Sequence, residues 1–205
     1  MTFQHSPAPA RTDVHVASPG DSSRYPYAVH GRVLTAGALA WATSIVLFGL
    51  NPETYPGLAV QGISGTIFQV GLLLLLRTLW LTRALGEGRL ARGVLRFEAF
   101  AVTMAIGSTI ADAAQVSNMS QPGWAILDAF WPLSMLGMFF IGIRIAVAGR
   151  WEGLTRWWPM VAESWAVVTI PALGIFGQTV GRGVACVHLI VGYAVLGLLV
   201  SRKTD

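Results

Sequence analysis

The chain of 205 residues is 54% hydrophobic and 12% charged, about half the charged share of a soluble domain, and its mean hydropathy is +0.58. This composition points to hydrocarbon as the solvent, because a bilayer excludes charge and accepts apolar side chains on every face of a helix. The pI near 9.8 goes with a net charge of only +4 and basic residues scattered between apolar runs, which excludes nucleic acid as a partner.

Cys186 is alone and falls inside an apolar run, so neither an intramolecular disulfide nor a cysteine cluster can form. Lys203 is the single lysine among 14 basic residues. A retinal-type Schiff base, which needs a buried lysine amine within the bundle, is thereby excluded. The arginine bias agrees with a GC-rich bacterial genome.

In chain order, residues 1–30 are polar and broken by proline and glycine, as in Ser6-Pro7-Ala8-Pro9 and Ser18-Pro19-Gly20. This tail is expected to be disordered and cytoplasmic, and no apolar stretch marks it as a signal peptide. His5, His15 and His30 are irregularly spaced and read as a solvated tail rather than a metal site. Six apolar segments follow at approximately 33–50, 58–82, 98–117, 124–148, 159–178 and 183–201. Each is near the roughly 20 residues that cross about 30 Å of hydrocarbon. Turn chemistry separates them at Asn51-Pro52-Glu53, Ser120-Gln121-Pro122-Gly123 and Thr179-Val180-Gly181-Arg182-Gly183. The expected fold is all-α: a polytopic bundle of six transmembrane helices over residues 31–205, with short loops and no second domain.

Arginine sets the expected orientation. With loops assigned alternately to two sides, one side holds Arg11, Arg24, Arg32, Arg77, Arg83, Arg89, Arg92, Arg96, Arg144, Arg150, Arg156, Arg202 and Lys203, and the other holds Arg182. This bias places both termini in the cytoplasm and supports an even number of spans, because an odd number would put a basic terminus outside. Two cytoplasmic links carry further pattern. Arg89, Arg92 and Arg96 share one helical face and Leu90, Val94 and Phe97 another, as in an interfacial amphipathic turn. Trp151, Trp157 and Trp158 lie where indoles anchor at headgroups. Either link could instead dock a protein partner.

Ionisable groups inside spans are costly and tend to mark function. The span ends put Asp112, Asp128 and His188 roughly 6–8 Å inside the outer boundary, with Gln61 slightly shallower. Ser108, Asp112 and Gln115 form one polar stripe at i, i+4 and i+7, and Gln61, Gly65 and Gln69 another at i, i+4 and i+8. Pro132 removes the amide that would bond the carbonyl of residue 128, and Pro171 frees that of Val167. Freed carbonyls beside acids can form a cation or substrate site. Two readings stand together: a structural polar cluster that holds helices, and an outward-facing pocket for a proton, cation or small polar ligand. On the inner side Arg77, Arg144, Glu98 and Glu163 lie at matched depth, which suggests interhelical ion pairs such as Arg144 with Glu163.

Several enzyme classes are excluded by absent motifs. There is no His-Glu-x-x-His and no Gly-x-Ser-x-Gly, and Gly86-Glu87-Gly88 lacks the preceding strand and third glycine of a dinucleotide fingerprint. One histidine within the spans cannot supply paired axial haem ligands. No catalytic residue, cofactor or metal is assigned, although Asp112, Asp128 and His188 together have the chemistry of three metal ligands. Three functions remain: proton- or cation-linked transport or small-ligand binding through the outer polar cluster, a non-catalytic scaffold or accessory subunit, and an intramembrane metal-dependent enzyme. The expected partners are the lipid bilayer, an unidentified small ligand or ion, and a protein partner or second copy. The expected location is the bacterial cytoplasmic membrane.

Overall fold

The computed structural model describes residues 25–204. The expected disorder of the tail therefore lies largely outside the described residues, as do His5, His15, Arg11 and Arg24. Residues 28–30, assigned to that tail from sequence, form the first turn of α1.

Every described element is helical: α1 (Ala28–Phe48), α2 (Tyr55–Leu81), α3 (Arg89–Ala113), α4 (Pro122–Ala148), α5 (Gly153–Glu163), α6 (Trp165–His188), a π-helical segment (Leu189–Ala194) and α7 (Val195–Ser201). Pro56 and Pro122 sit in the first turns of α2 and α4, where a missing amide costs nothing because that amide has no partner within the helix. Gly149 closes α4 in a left-handed conformation. Five stretches are long and apolar enough to cross a membrane: the first four helices and the 49-residue stretch Gly153–Ser201.

That last stretch is a hairpin. Gly177 breaks α6 at φ 77°, ψ −179°, a conformation that only glycine adopts without strain. Beyond it the chain runs back along itself. Trp165 Nε1 donates to the Ala185 carbonyl at 3.1 Å, and Trp158 Nε1 to those of Val191 and Gly192, both at 3.1 Å. The Tyr193 hydroxyl donates to Glu163 at 2.7 Å. The carbonyls that Trp158 reaches belong to the π-helical segment 189–194, whose wider turns loosen the usual backbone pairing. Sequence placed this turn at Thr179–Gly183. The reversal falls earlier, and Gly181 instead packs against Leu173 on the opposite arm.

The helices close into a ring, with α1 packed on both α2 and the C-terminal arm, and successive neighbours α2–α3, α3–α4 and α4–α5 completing it. Gly31 near the start of α1 meets Gly197 and Ser201 of α7, so both described chain ends lie at one end of the bundle, here the basal end. The basal half is filled by Leu34, Leu75, Leu79, Ile141, Ile145 and Leu196, all almost fully buried. Leu133, Leu136, Phe140 and Ile175 are exposed, an apolar exterior that suits lipid tails. In hydrocarbon such helices are held by close packing and interhelix hydrogen bonds rather than by exclusion from water.

At the basal end, Glu87 accepts from Arg83 at 3.1 Å and Arg150 at 3.3 Å, tying the α2–α3 loop to the start of the next link. These hydrogen bonds, Arg83 first, hold the Glu87 carboxyl below the usual carboxylate range. The tryptophan-rich link is only partly an anchor. Trp151 is 2% exposed and donates to Thr82 Oγ1 at 3.0 Å, whereas Trp157 is 51% exposed with the Arg156 guanidinium over its ring. The amphipathic turn expected over 88–97 is the opening of α3, which starts nine residues before the predicted span at 98.

Candidate ligand cavity

A cavity of about 700 Å³ opens at the end opposite the described chain ends and descends between the helices. Its position follows from side-chain size. The large aliphatic residues concentrate in the basal half, while the small residues Gly65, Ser108 and Ser134 line the other half, where Gly62 packs against Ala113 and brings α2 onto α3. Asn51, Pro52, Gln115 and Ser117 form its mouth.

Four of the five outer residues singled out from sequence line this cavity: Gln61, Ser108, Asp112 and Asp128. Ser108 Oγ donates to Asp128 Oδ1 at 3.1 Å, joining α3 to α4. Gln61 Nε2 donates to the Leu50 carbonyl, and Gln69 Nε2 to Thr109 Oγ1 at 3.0 Å. The two acids differ in depth. α3 ends at Ala113 and not near 117, because Gln115 turns the chain at φ 55°. Asp112 is therefore at the rim, and Asp128, six residues into α4, lies about 9 Å below its start at the usual helical rise.

His188 does not join them. Its Nε2 contacts the carbonyls of Val161 at 2.8 Å and Ala162 at 3.2 Å, on the outer side of the hairpin among Val168, Val184 and Val187. Carbonyls only accept, so Nε2 must carry the proton in both contacts. Because the chain turns at Gly177, His188 is eleven residues from the reversal and about 16 Å from that end. Asp112, Asp128 and His188 therefore do not form the three-ligand metal set weighed from sequence. Among the described residues no group of three His, Cys, Asp or Glu side chains is arranged to hold a metal ion.

The inner charged layer is also arranged differently from the expectation. Glu87 makes the only ion pairs among the described residues, so Arg144 with Glu163 and Arg77 with Glu98 are not paired. The Arg144 guanidinium reaches Gly86 of the basal loop instead, a long side chain extending toward the polar boundary. Glu163 lies ten residues into α5, well inside the bundle, and reaches the cavity floor. It is 2% exposed; Tyr193 donates to one carboxyl oxygen, and the other, Oε1, has no partner among the described residues. Glu98, also 2% exposed, packs its carboxylate against Gly137 of α4, where any side chain would collide with it.

Sequence reasoning missed the aromatic wall. Trp41 and Trp165 lie 5.6 Å apart with their planes tilted by 33°, and Trp131 stands nearly perpendicular to both at 6.3 and 6.2 Å. Phe68 packs on Trp41 at 5.1 Å and on Tyr193 at 4.8 Å. All five rings line the cavity. The available signal was their depth: Trp41, Trp131 and Trp165 fall inside apolar runs, away from the interfacial belt where tryptophan gathers.

The cavity thus combines three carboxyl groups, several amides and hydroxyls, and five aromatic rings, with no Lys, Arg or His in its lining. No protein-family model matches the chain, and comparison with curated proteins and with solved structures finds no match.

Proposed function

We propose that this chain is a small multi-pass membrane protein that admits a small ligand, cation or proton from the outer side of a bacterial cytoplasmic membrane into this cavity, in binding or proton- or cation-linked transport. It crosses the bilayer six times, the Gly153–Ser201 hairpin contributing two passes, with both termini in the cytoplasm. Arginine supports this orientation: Arg182 is the one basic residue at the open end among those described, and basic residues favour the cytoplasmic face.

The single observation that carries the function is the cavity itself, with its mouth at the end opposite the described chain ends and lined by Asp112, Asp128 and Glu163 without a basic residue. Carboxylates in a low-dielectric cleft focus negative potential and draw in whatever neutralises them. A purely structural cluster would pair those acids with each other's helices and leave no room between them. The Ser108–Asp128 bond does join two helices, yet it stands on the wall of a cavity of drug-molecule size.

The test uses the full chain in proteoliposomes with a trapped pH-sensitive dye, together with cation flux across the same vesicles. Asp112→Asn, Asp128→Asn and Glu163→Gln are each expected to lower flux by about tenfold or more, the effect of losing about 1.4 kcal/mol of charge interaction. Unchanged flux and unchanged ligand binding in all three variants would end the proposal.

A further inference from the structure

The chemistry of the cavity walls narrows the ligand class, and this inference rests on the reading of the cavity as a ligand site. A metal ion or ammonium ion would be held by converging oxygen atoms. Here the acids that line the cavity descend in separate steps: Asp112 at the rim, Asp128 about 9 Å below the start of α4, and Glu163 fourteen residues from Gly177, about 21 Å down. Between the upper acids and the floor the walls are aromatic rather than oxygen-rich, and the cavity is far larger than a bare ion needs. A neutral apolar ligand would not require Glu163, a deeply buried carboxylate with one oxygen unpartnered at the floor. An anion would meet three carboxyl groups and no counter-charge.

We propose that the cavity binds a lipophilic organic cation, an amine or quaternary onium of drug-like size, with its charged centre against Trp41, Trp131 and Trp165 and its charge balanced by Glu163. Ring faces carry negative quadrupole density and attract a cation whose hydration shell is already weak, while accepting its apolar substituents. The rings are preorganised for this: Trp165 is fixed by its bond to the Ala185 carbonyl, and Trp41 packs with Phe68 and Trp165. Asp128 and Asp112 lie on the entry path and would draw the cation inward before it reaches the rings. Gln69, 5% exposed with its carbonyl oxygen unpartnered on the same wall, offers an acceptor to an N–H of an amine ligand.

The test separates shape from charge. Binding of tetraphenylphosphonium and of tetraphenylborate, nearly identical in shape and opposite in sign, is measured by calorimetry on the detergent-solubilised full chain. Tetraphenylphosphonium should bind and tetraphenylborate should not. Trp131→Leu should weaken tetraphenylphosphonium about ten- to thirtyfold, the range of a desolvated cation–π contact, and Glu163→Gln should weaken it at least as much. Equal binding of both ions by the unaltered chain, or no binding of the cation, overturns the proposal without recourse to a variant.

A second measurement keeps its failure distinct from failure of the underlying reading. Ser134, on the cavity wall, is replaced by cysteine in a Cys186→Ala background and exposed to a small neutral thiol reagent from the outer side. Labelling that tetraphenylphosphonium blocks and tetraphenylborate leaves alone supports both ideas. Labelling that the cation does not block leaves an open cavity and removes the organic-cation ligand. Absence of labelling from the outer side removes both.

Discussion

Glu163 and His188 show how the surroundings of one residue decide its chemistry. Both are polar residues near the helix break at Ser164, yet one faces inward to the cavity floor and the other outward to the valine groove. Glu163 keeps a free carboxyl oxygen beside the Tyr193 hydroxyl, the arrangement of a group available to a ligand. His188 directs its Nε2–H at two carbonyls of the last turn of α5, at the helix end. Its role is structural. His188→Phe should therefore lower the folding free energy by about 1 kcal/mol, the size of an interhelix hydrogen bond in a bilayer, read from unfolding in a graded detergent mixture. Ligand binding in the cavity should stay the same; a large loss of binding with unchanged stability would contradict this assignment. The difference was not legible in sequence, because the depth and direction of both residues depend on where the chain reverses.

At the scale of elements, the Gly153–Ser201 hairpin organises the site. Its two arms bring Glu163 and Trp165 from one strand of the hairpin beside Tyr193 from the other. The reversal depends on Gly177, since any side chain at φ 77°, ψ −179° meets steric conflict with the backbone. Gly177→Ala is expected to cost about 1–3 kcal/mol and to weaken binding indirectly by loosening the Trp165 and Tyr193 contacts. Thermal unfolding of the purified variant would check it, and a midpoint equal to that of the parent would refute it. Helix existence was readable from apolar runs, whereas helix ends were not. α3 continues through the arginine-rich segment from Arg89, because arginine is a good helix former and its charge can remain at the boundary. The turn near Gly181 was misplaced because sequence offers several glycines, and only packing selects which one takes the left-handed conformation.

For the whole molecule, the closed ring of helices leaves its two ends unlike. The basal end holds the described chain ends, nearly all the described basic residues and a packed aliphatic core; the other opens into an acidic and aromatic cavity. This polarity makes topology a direct test. Reporter domains fused to residue 1 and to residue 205, and a third inserted at Asn118 in the α3–α4 loop, should show the first two active in the cytoplasm and the third outside. A reporter at Asn118 on the same side as the terminal fusions would invert or abolish the proposed access route.

Sequence by itself determined that the chain is helical, apolar on every side, and asymmetric in its arginines, because these properties depend on composition and local order alone. It also singled out Asp112, Asp128, Ser108 and Gln61 as polar residues near one end, since spacing along a helix fixes which residues share a face. Tertiary structure alone decided that these residues border one cavity, that His188 turns away, that Glu163 and Glu98 lack arginine partners, and that three distant tryptophans meet. The physical reason is that lateral packing is set by pairs of surfaces far apart in the chain. Gly31 against Gly197 and Gly137 against Glu98 fix how closely the helices approach, and no periodicity within one segment encodes its partner.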